Sequence, residues 1–242
     1  MKVLILGHRG MLGNAVYKYL TAQEDIKVYK INNLRWPSDD FKIAVRNKEY
    51  DFIVNCIGSI PQRKNNFSIN VELPRWLDRN VGCNIIHPGT DCEVDIDEYG
   101  LSKKEAFDYI VDHGNNTKII KTSIIGHEIK SKSSLLEWFL GSENKVRGFN
   151  NHFWNGNTTL EWSKFCYKLI KNWEGYKKVT ILESEKVSKY DLLCNISEVY
   201  NKKIKILSYS HEKRVDNKCL QGDIKLKHIK EQLKDLKDFY DK

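Results

Sequence analysis

The chain reads as an α/β protein, a doubly wound parallel sheet with a small C-terminal lobe, and three observations carry that reading. Short β-rich runs alternate with longer amphipathic segments through the first half of the 242 residues. A glycine-punctuated turn follows the first of these runs at once. Further on, Tyr99-Gly100-Leu101-Ser102-Lys103 sets a Tyr and a Lys four apart, on one face of a helix.

The elements follow in order. Residues 2–6, Lys-Val-Leu-Ile-Leu, form a short apolar run that predicts a buried strand. Gly7-His8-Arg9-Gly10-Met11-Leu12-Gly13 makes the turn, and the periodic run 14–20 predicts a helix. Further strands are predicted at 26–30, 52–55, 84–87 and 118–121, separated by segments long enough for crossover helices. After about residue 130 the pattern changes to helices at 134–140, 160–172 and 188–200 and strands at 179–182 and 203–207. This predicts a nucleotide-binding core over residues 1–130 and a smaller, partly discontinuous substrate-binding lobe over 131–242, some of whose segments return to the core. Ile224, Leu226, Ile229, Leu233, Leu236 and Tyr240 recur at helical spacing and predict a C-terminal amphipathic helix.

Composition narrows the function classes. The formal charge is +8, and residues 201–242 carry five of that excess with alternating signs along their last part. Alternation is the mark of a solvated helix face, and with no recognition motif no nucleic-acid partner is expected. A basic balance equally suits a protein that handles phosphorylated small molecules. Six cysteines are scattered without CxxC spacing, so neither a disulfide nor a metal site is expected. No run of 18 apolar residues occurs and the first residues enter a strand directly, so the expectation is a cytoplasmic protein with no membrane partner.

Chemistry enters with the glycines. Gly7, Gly10 and Gly13 permit a tight turn, close backbone approach to a pyrophosphate and close helix packing, with the diphosphate at the positive helix N-terminus. The second strand ends Val28-Tyr29-Lys30-Ile31-Asn32-Asn33, without the carboxylate that holds a ribose 2′-hydroxyl. Arg9, with Lys30 or Arg35, suits a 2′-phosphate, so NADP(H) is expected ahead of NAD(H); the alternative for Lys30 and Arg35 is plain surface charge. A tyrosine near its reference pKa is a poor acid-base group at neutral pH, and an adjacent ammonium moves it toward the operating range. Lys103 supplies that charge and can also hold the cofactor ribose. Thr90, just past the fourth strand, offers a hydroxyl to a substrate carbonyl; as alternatives Thr90 and Asp91 serve as turn caps. Arg147, Trp154 and Asn155, the last two in the aromatic and polar run 149–156, are candidates for holding a substrate. Core packing is the other use of such aromatics.

Together these residues resemble the extended short-chain dehydrogenase/reductase superfamily, in its dTDP-4-dehydrorhamnose reductase-like branch. The glycine loop, Asn55-Cys56-Ile57-Gly58, Gly89-Thr90-Asp91-Cys92 and Tyr99-Gly100-Leu101-Ser102-Lys103 carry the resemblance. So do Thr122-Ser123-Ile124-Ile125-Gly126, the run 135–140, Asn155-Gly156-Asn157-Thr158-Thr159-Leu160-Glu161 and the run 188–193. The resemblance implies a Rossmann-type core that holds NADP(H) through Gly7, His8, Arg9, Gly10, Met11, Leu12, Gly13, Asn32, Arg35, Cys56, Ile57, Gly58 and Lys103. It implies hydride transfer to C4 of a UDP- or dTDP-linked 4-keto-6-deoxyhexose in deoxysugar nucleotide biosynthesis. Tyr99 then protonates the forming alkoxide, Lys103 tunes Tyr99 and Thr90 binds the carbonyl oxygen. Cys92 is similar to the acid of enzymes that also epimerise C3 and C5, with His127 as the second acid/base. Superfamily members often pair through helices, which makes a homodimer an expected partner state. Two departures stand out. Only residues 93–98 separate Cys92 from Tyr99, where the branch has a longer loop, and Gly89 replaces the first Ser of a Ser-Thr pair. The alternative from another class is a nucleotide-binding regulatory or scaffold subunit without catalysis.

Overall fold

The computed structural model describes all residues except 47–48, 64–65, 130–131, 213–214 and 242. β1 (Lys2–Leu6) leads through the glycine turn into α1 (Met11–Thr21), β2 (Lys27–Lys30), α2 (Asp39–Arg46), β3 (Phe52–Asn55), α3 (Ser68–Asn80), β4 (Asn84–Gly89), α4 (Glu98–His113) and β5 (Thr117–Lys121). The later elements are β6 (Ile124–Ile125), α5 (Leu135–Gly141), β7 (Lys145–Phe149), β8 (His152–Trp154), β9 (Asn157–Thr158), α6 (Thr159–Lys171), β10 (Val179–Glu183) and β11 (Val187–Ser188). α7 (Lys189–Val199), β12 (Lys205–Tyr209), β13 (Asp216–Asn217), β14 (Ile224–Lys225) and α8 (Ile229–Asp241) close the chain.

Seven strands form one sheet in the order β14-β10-β5-β4-β3-β1-β2. The pairs β1–β2, β1–β3, β3–β4, β4–β5 and β10–β14 all run parallel. Parallel strands covered on both faces read as continuous apolar runs, and Val3 to Leu6 and Ile53 and Val54 are almost wholly buried. Leu4, Ile53 and Ile85 lie abreast in register. Phe41 and Val45 of α2 and Leu73 and Leu77 of α3 cover that row, spaced to present one stripe to the sheet. β2 lies on one side of β1 and β3 on the other, so the order reverses between β1 and β3. A crevice opens beyond the carboxyl ends of strands at such a switch point.

The chain forms two compact units, Met1–Lys121 with Ser163–Thr180 and Thr122–Trp162 with Ile181–Lys242. The expected boundary between residues 130 and 131 lies outside the described residues. In the second unit β7 and β12 form a parallel pair, β11-β8-β13 a three-stranded sheet and β6-β9 a short pair. The C-terminal run differs from its sequence pattern. Ile224 and Lys225 are strand, in register with Leu182 and Glu183 of β10, and the helix starts only at Ile229. The edge of β10 supplies the reason: Asp223 N–H donates to Ile181 O and Leu226 N–H to Glu183 O, both at 2.8 Å, which outcompetes local helix bonds. Ile229, Leu233 and Leu236 continue the stripe and are fully buried. Among the described residues no helix is long and apolar enough to cross a membrane.

Asp78 shows how the first unit is tied. It sits buried on the apolar side of α3, takes the Thr117 hydroxyl at 2.6 Å and faces the Asn115 N–H at 3.2 Å. Asp78→Ala leaves the buried Thr117 hydroxyl and the Asn115 N–H without their acceptor. It should cost about 2–3 kcal/mol, measured as a lower urea midpoint at unchanged slope.

Candidate active site

The glycine loop is built on backbone contact. Gly7 has φ +76, in the left-handed region that glycine enters without strain. A Cβ on Gly7 would lie 2.8 Å from the carbonyl of Cys56, and one on Gly13 would lie 2.2 Å from the carbonyl oxygen of Gly7. Neither position admits a side chain, so α1 starts directly against β1 and the turn after β3. Gly10 caps α1 without any side-chain hydrogen bond, and no acidic residue sits in its first turn. The leading N–H groups of α1, those of Met11, Leu12 and Gly13 among them, therefore face outward with the positive end of the helix. A nicotinamide dinucleotide fits this cradle, because its diphosphate supplies the acceptors that the turn lacks.

The neighbouring groups carry positive charge. Burial first, then Lys30 and Arg9, push the pKa of His8 down. Lys30 reaches the Tyr17 hydroxyl at 3.3 Å and lies over its ring at 4.7 Å. Arg9, Asn32 and Arg35 are exposed. After β3, Cys56 N–H donates to Leu6 O at 3.0 Å and Ile57 N–H to Asn55 Oδ1 at 3.1 Å, and Gly58 lies against Asn70. Burial holds the Cys56 thiol far above its ordinary range, so it is inert packing. The buried Ser59 hydroxyl just beyond it has no hydrogen-bond partner among the described residues.

Thr90, Asp91, Cys92, Tyr99 and Lys103 come together at the end of β4. Thr90 caps a tight 3-10 turn over Asp91–Val94: its hydroxyl accepts the Cys92 N–H at 3.2 Å and donates to Asp91 Oδ1 at 3.0 Å. The same hydroxyl acts on the Tyr99 phenol, pulling its pKa down against the rise that burial causes. Cys92 Sγ lies 3.6 Å from Asp91 Oδ1. Asp97 caps α4 through the Gly100 N–H at 2.7 Å. A Cβ on Gly100 would stand 2.6 Å from the carbonyl oxygens of Cys92 and Asp95. Gly100 therefore lets the first turn of α4 press onto the 3-10 turn, and that contact carries Tyr99 to Thr90. Lys103 donates to Pro88 O at 3.1 Å.

The electrostatics differ from the sequence expectation. Burial first, then Cys92 and Asp91, push the Tyr99 phenol above its usual range, while the Thr90 hydrogen bond opposes them. Lys103 is not among the groups that shift it. Burial likewise pushes the Lys103 ammonium down, against Glu93 and Cys92. In a site this dry the cost of bare charge exceeds the pair attraction, so each group leans toward its neutral form.

Sequence reasoning missed the polar groups that support this cluster. Asn70, buried on the apolar side of α3, holds both backbone groups of Ser59 and donates to Ser102 Oγ at 3.0 Å. Ser102 in turn donates to Tyr99 O at 2.7 Å. Phe67 packs edge-on against the Tyr99 ring, centroids 5.8 Å apart. Buried His87 takes a hydrogen bond from Asn55 at 3.2 Å, and burial and Lys103 push its pKa down. A polar residue inside an apolar stripe is the one sequence signal Asn70 gives.

The remaining candidates belong to the second unit. His127 is held between Glu137 Oε1 at 2.7 Å and the Tyr200 hydroxyl at 2.8 Å, with Tyr240 against its ring. Arg147 is exposed on β7 beside the Tyr209 ring. Trp154 is buried, with Gly156 against its ring. Asn155 donates to Leu220 O and accepts from Leu220 N–H, at 2.8 and 2.9 Å, so its amide is engaged within the unit. Among the described residues no group of His, Cys, Asp and Glu is arranged to hold a metal.

A parallel sheet that reverses order at a glycine turn is a Rossmann-type fold. No family model matches the chain, and no curated protein does. Solved structures do match over nearly the whole length. A dTDP-4-dehydrorhamnose reductase from Clostridium acetobutylicum superposes with a TM-score of 0.80 at 19% identity, covering 100% of both chains. The dTDP-4-dehydrorhamnose reductase from Bacillus anthracis, in complex with NADP, gives 0.82 at 17%, covering 98% of both. UDP-glucose 4-epimerase from Thermotoga maritima, with UDP-glucose, gives 0.71 at 11%, covering 100% of this chain and 99% of that one. The chain shares the fold of these proteins.

Gly89 lies where a hydroxyl residue was expected, and the space beside it is full. A Cβ there would meet Ile119 Cγ2 at 2.9 Å, Lys121 Cβ at 3.0 Å and Glu93 Oε1 at 3.2 Å. Gly89→Ser should destabilise the protein by about 1–3 kcal/mol, seen as a lower melting temperature, with no gain in any activity.

Proposed function

We propose that the chain is an NADPH-dependent reductase of a nucleotide-linked 4-keto-6-deoxyhexose, the sugar carried on UDP or dTDP. The observation that carries this reading is the convergence of Thr90, Tyr99 and Lys103 beyond β4: Gly100 lets the first turn of α4, with Tyr99, press onto the turn that Thr90 caps, and Lys103 reaches Pro88 O. The names of the structures the chain resembles, the Bacillus anthracis one a complex with NADP, support the substrate class and the cofactor.

When bound, the nicotinamide supplies a hydride to the carbonyl carbon. The chain's own groups answer the charge that then grows on the carbonyl oxygen. Tyr99 gives that oxygen its phenolic proton, and Thr90 turns its hydroxyl from Asp91 to donate a hydrogen bond. Groups preset in a dry site stabilise this developing charge more than the ground-state carbonyl, which is what lowers a barrier. A phenol held above its usual range remains protonated, and so ready to donate, throughout neutral pH. The N-terminus of α1 holds the diphosphate, and Arg9 with Lys30 meets the 2′-phosphate. Arg147 takes the diphosphate of the sugar nucleotide.

One observation favours a second step on the same chain, epimerisation at C3 and C5 before reduction: the Cys92 thiol stands beside Asp91 and acts electrostatically on Tyr99. Epimerisation predicts deuterium at C3 or C5 of the sugar in heavy water, lost in Cys92→Ala; a wild-type product without deuterium removes it.

The reductase is tested by NADPH oxidation with a panel of dTDP- and UDP-linked 4-keto-6-deoxyhexoses. Tyr99→Phe should lower kcat by about 10²–10⁴-fold with little change in either KM. Unchanged turnover would reject the assignment, and NADPH binding without turnover on any sugar would favour a non-catalytic nucleotide-binding subunit. The raised phenol predicts reduction that is flat from pH 7 to 9 and declines only at higher pH, as Tyr99 loses its proton. Arg9→Ala should raise KM for NADPH about tenfold and leave KM for NADH unaltered.

A further inference from the structure

Two departures from the resembled pattern, the glycine at 89 and the short segment after Cys92, meet at one place. Glu93, 5% exposed, points its carboxylate back along the turn. Its Oε1 accepts the Thr90 N–H at 2.9 Å and its Oε2 pairs with Lys121 Nζ at 2.5 Å. Lys121 comes from the last residue of β5, in register with Gly89 across the sheet, and its ammonium lies over the Phe107 ring at 4.5 Å. The space that a side chain at 89 would fill is thus taken by the Lys121 stem and the Glu93 carboxylate. The consequence falls on Thr90. Its N–H is held by Glu93 while its hydroxyl takes the Cys92 N–H and donates to Asp91, so backbone and side chain are pinned in the extended conformation, φ −142 and ψ 160, that fixes the hydroxyl at the end of β4.

We propose that the Glu93–Lys121 ion pair is the positioning device of Thr90, setting the hydroxyl that the substrate carbonyl meets. The pair touches no reacting atom and acts through Thr90 alone. The inference rests on the reductase reading for its kinetic part and on the geometry of the turn for its structural part. A buried pair of opposite charges is stiff, because displacing either partner leaves the other bare in a dry surrounding. It fixes this short turn where a longer loop would need more contacts.

The test compares wild type with Glu93→Gln, Lys121→Met and their double variant, using the full chain well below every melting temperature. Glu93→Gln retains the acceptor for Thr90 N–H but strands the Lys121 charge, whereas Lys121→Met strands the Glu93 charge. The double variant removes both charges and retains the acceptor. Amide hydrogen exchange over residues 89–94 should quicken about tenfold or more in each single variant and return to near the wild-type rate in the double. Turnover should follow: kcat lower by about 10–100-fold in the single variants and recovered to within about fivefold in the double, with the Kd for NADPH within twofold throughout. Single variants that melt lower yet exchange and turn over like wild type would overturn the proposal and leave the pair a stability element. A double variant no better than the singles would overturn it too. If wild type reduces no sugar, the reductase reading fails by itself, and the exchange rates still decide whether the pair holds the turn.

Discussion

Backbone packed on backbone at the switch point is the constraint from which the rest of the structure follows. With Gly7 against the Cys56 carbonyl and Gly13 against the Gly7 carbonyl, three stretches of main chain share a space that no Cβ can enter. This closeness holds α1 to the end of β1 with its N-terminus open, and it places the turn after β3 alongside. Because the strands are parallel and in register, fixing β1 and β3 fixes β4 beside them, and with it the residues that follow Gly89.

A second close contact completes the arrangement. Gly100 brings the start of α4 onto the turn that carries Thr90, and Asn70 locks the same turn of the helix through Ser102. What results is a small volume holding two buried carboxylates, Asp91 and Glu93, with a thiol, a phenol and an ammonium around them. Low polarity of the surroundings raises the value of each specific hydrogen bond and the cost of each unpaired charge together. Burial is the first cause that pushes the phenol up, and the ammonium donates to the Pro88 carbonyl with Glu93 opposing the downward push of burial.

The shortened segment after Cys92 bears on how much of a site can be lost without losing its centre. Residues 91–98 join Thr90 to Tyr99: a capped 3-10 turn takes four of these positions, and Asp97 caps the helix that carries Tyr99. Val94 and Ile96 of this segment are exposed.

The sequence by itself determined the strands of the first unit, the glycine turn, the Tyr99 and Lys103 helix and the apolar stripe of α8, because each is a local pattern whose period or punctuation survives in one dimension. The pairing of Ile224 and Lys225 with β10 was hidden, since their helical spacing is equally real and only an available sheet edge decides between the two. Asp78, Asn70 and the Glu93–Lys121 pair were hidden for a related reason: a polar residue declares no partner until the fold brings a distant donor within 3 Å. The direction in which the Tyr99 phenol shifts also belonged to the tertiary structure alone. Spacing put a lysine nearby, but burial, which is a property of the whole packed chain, outweighed it.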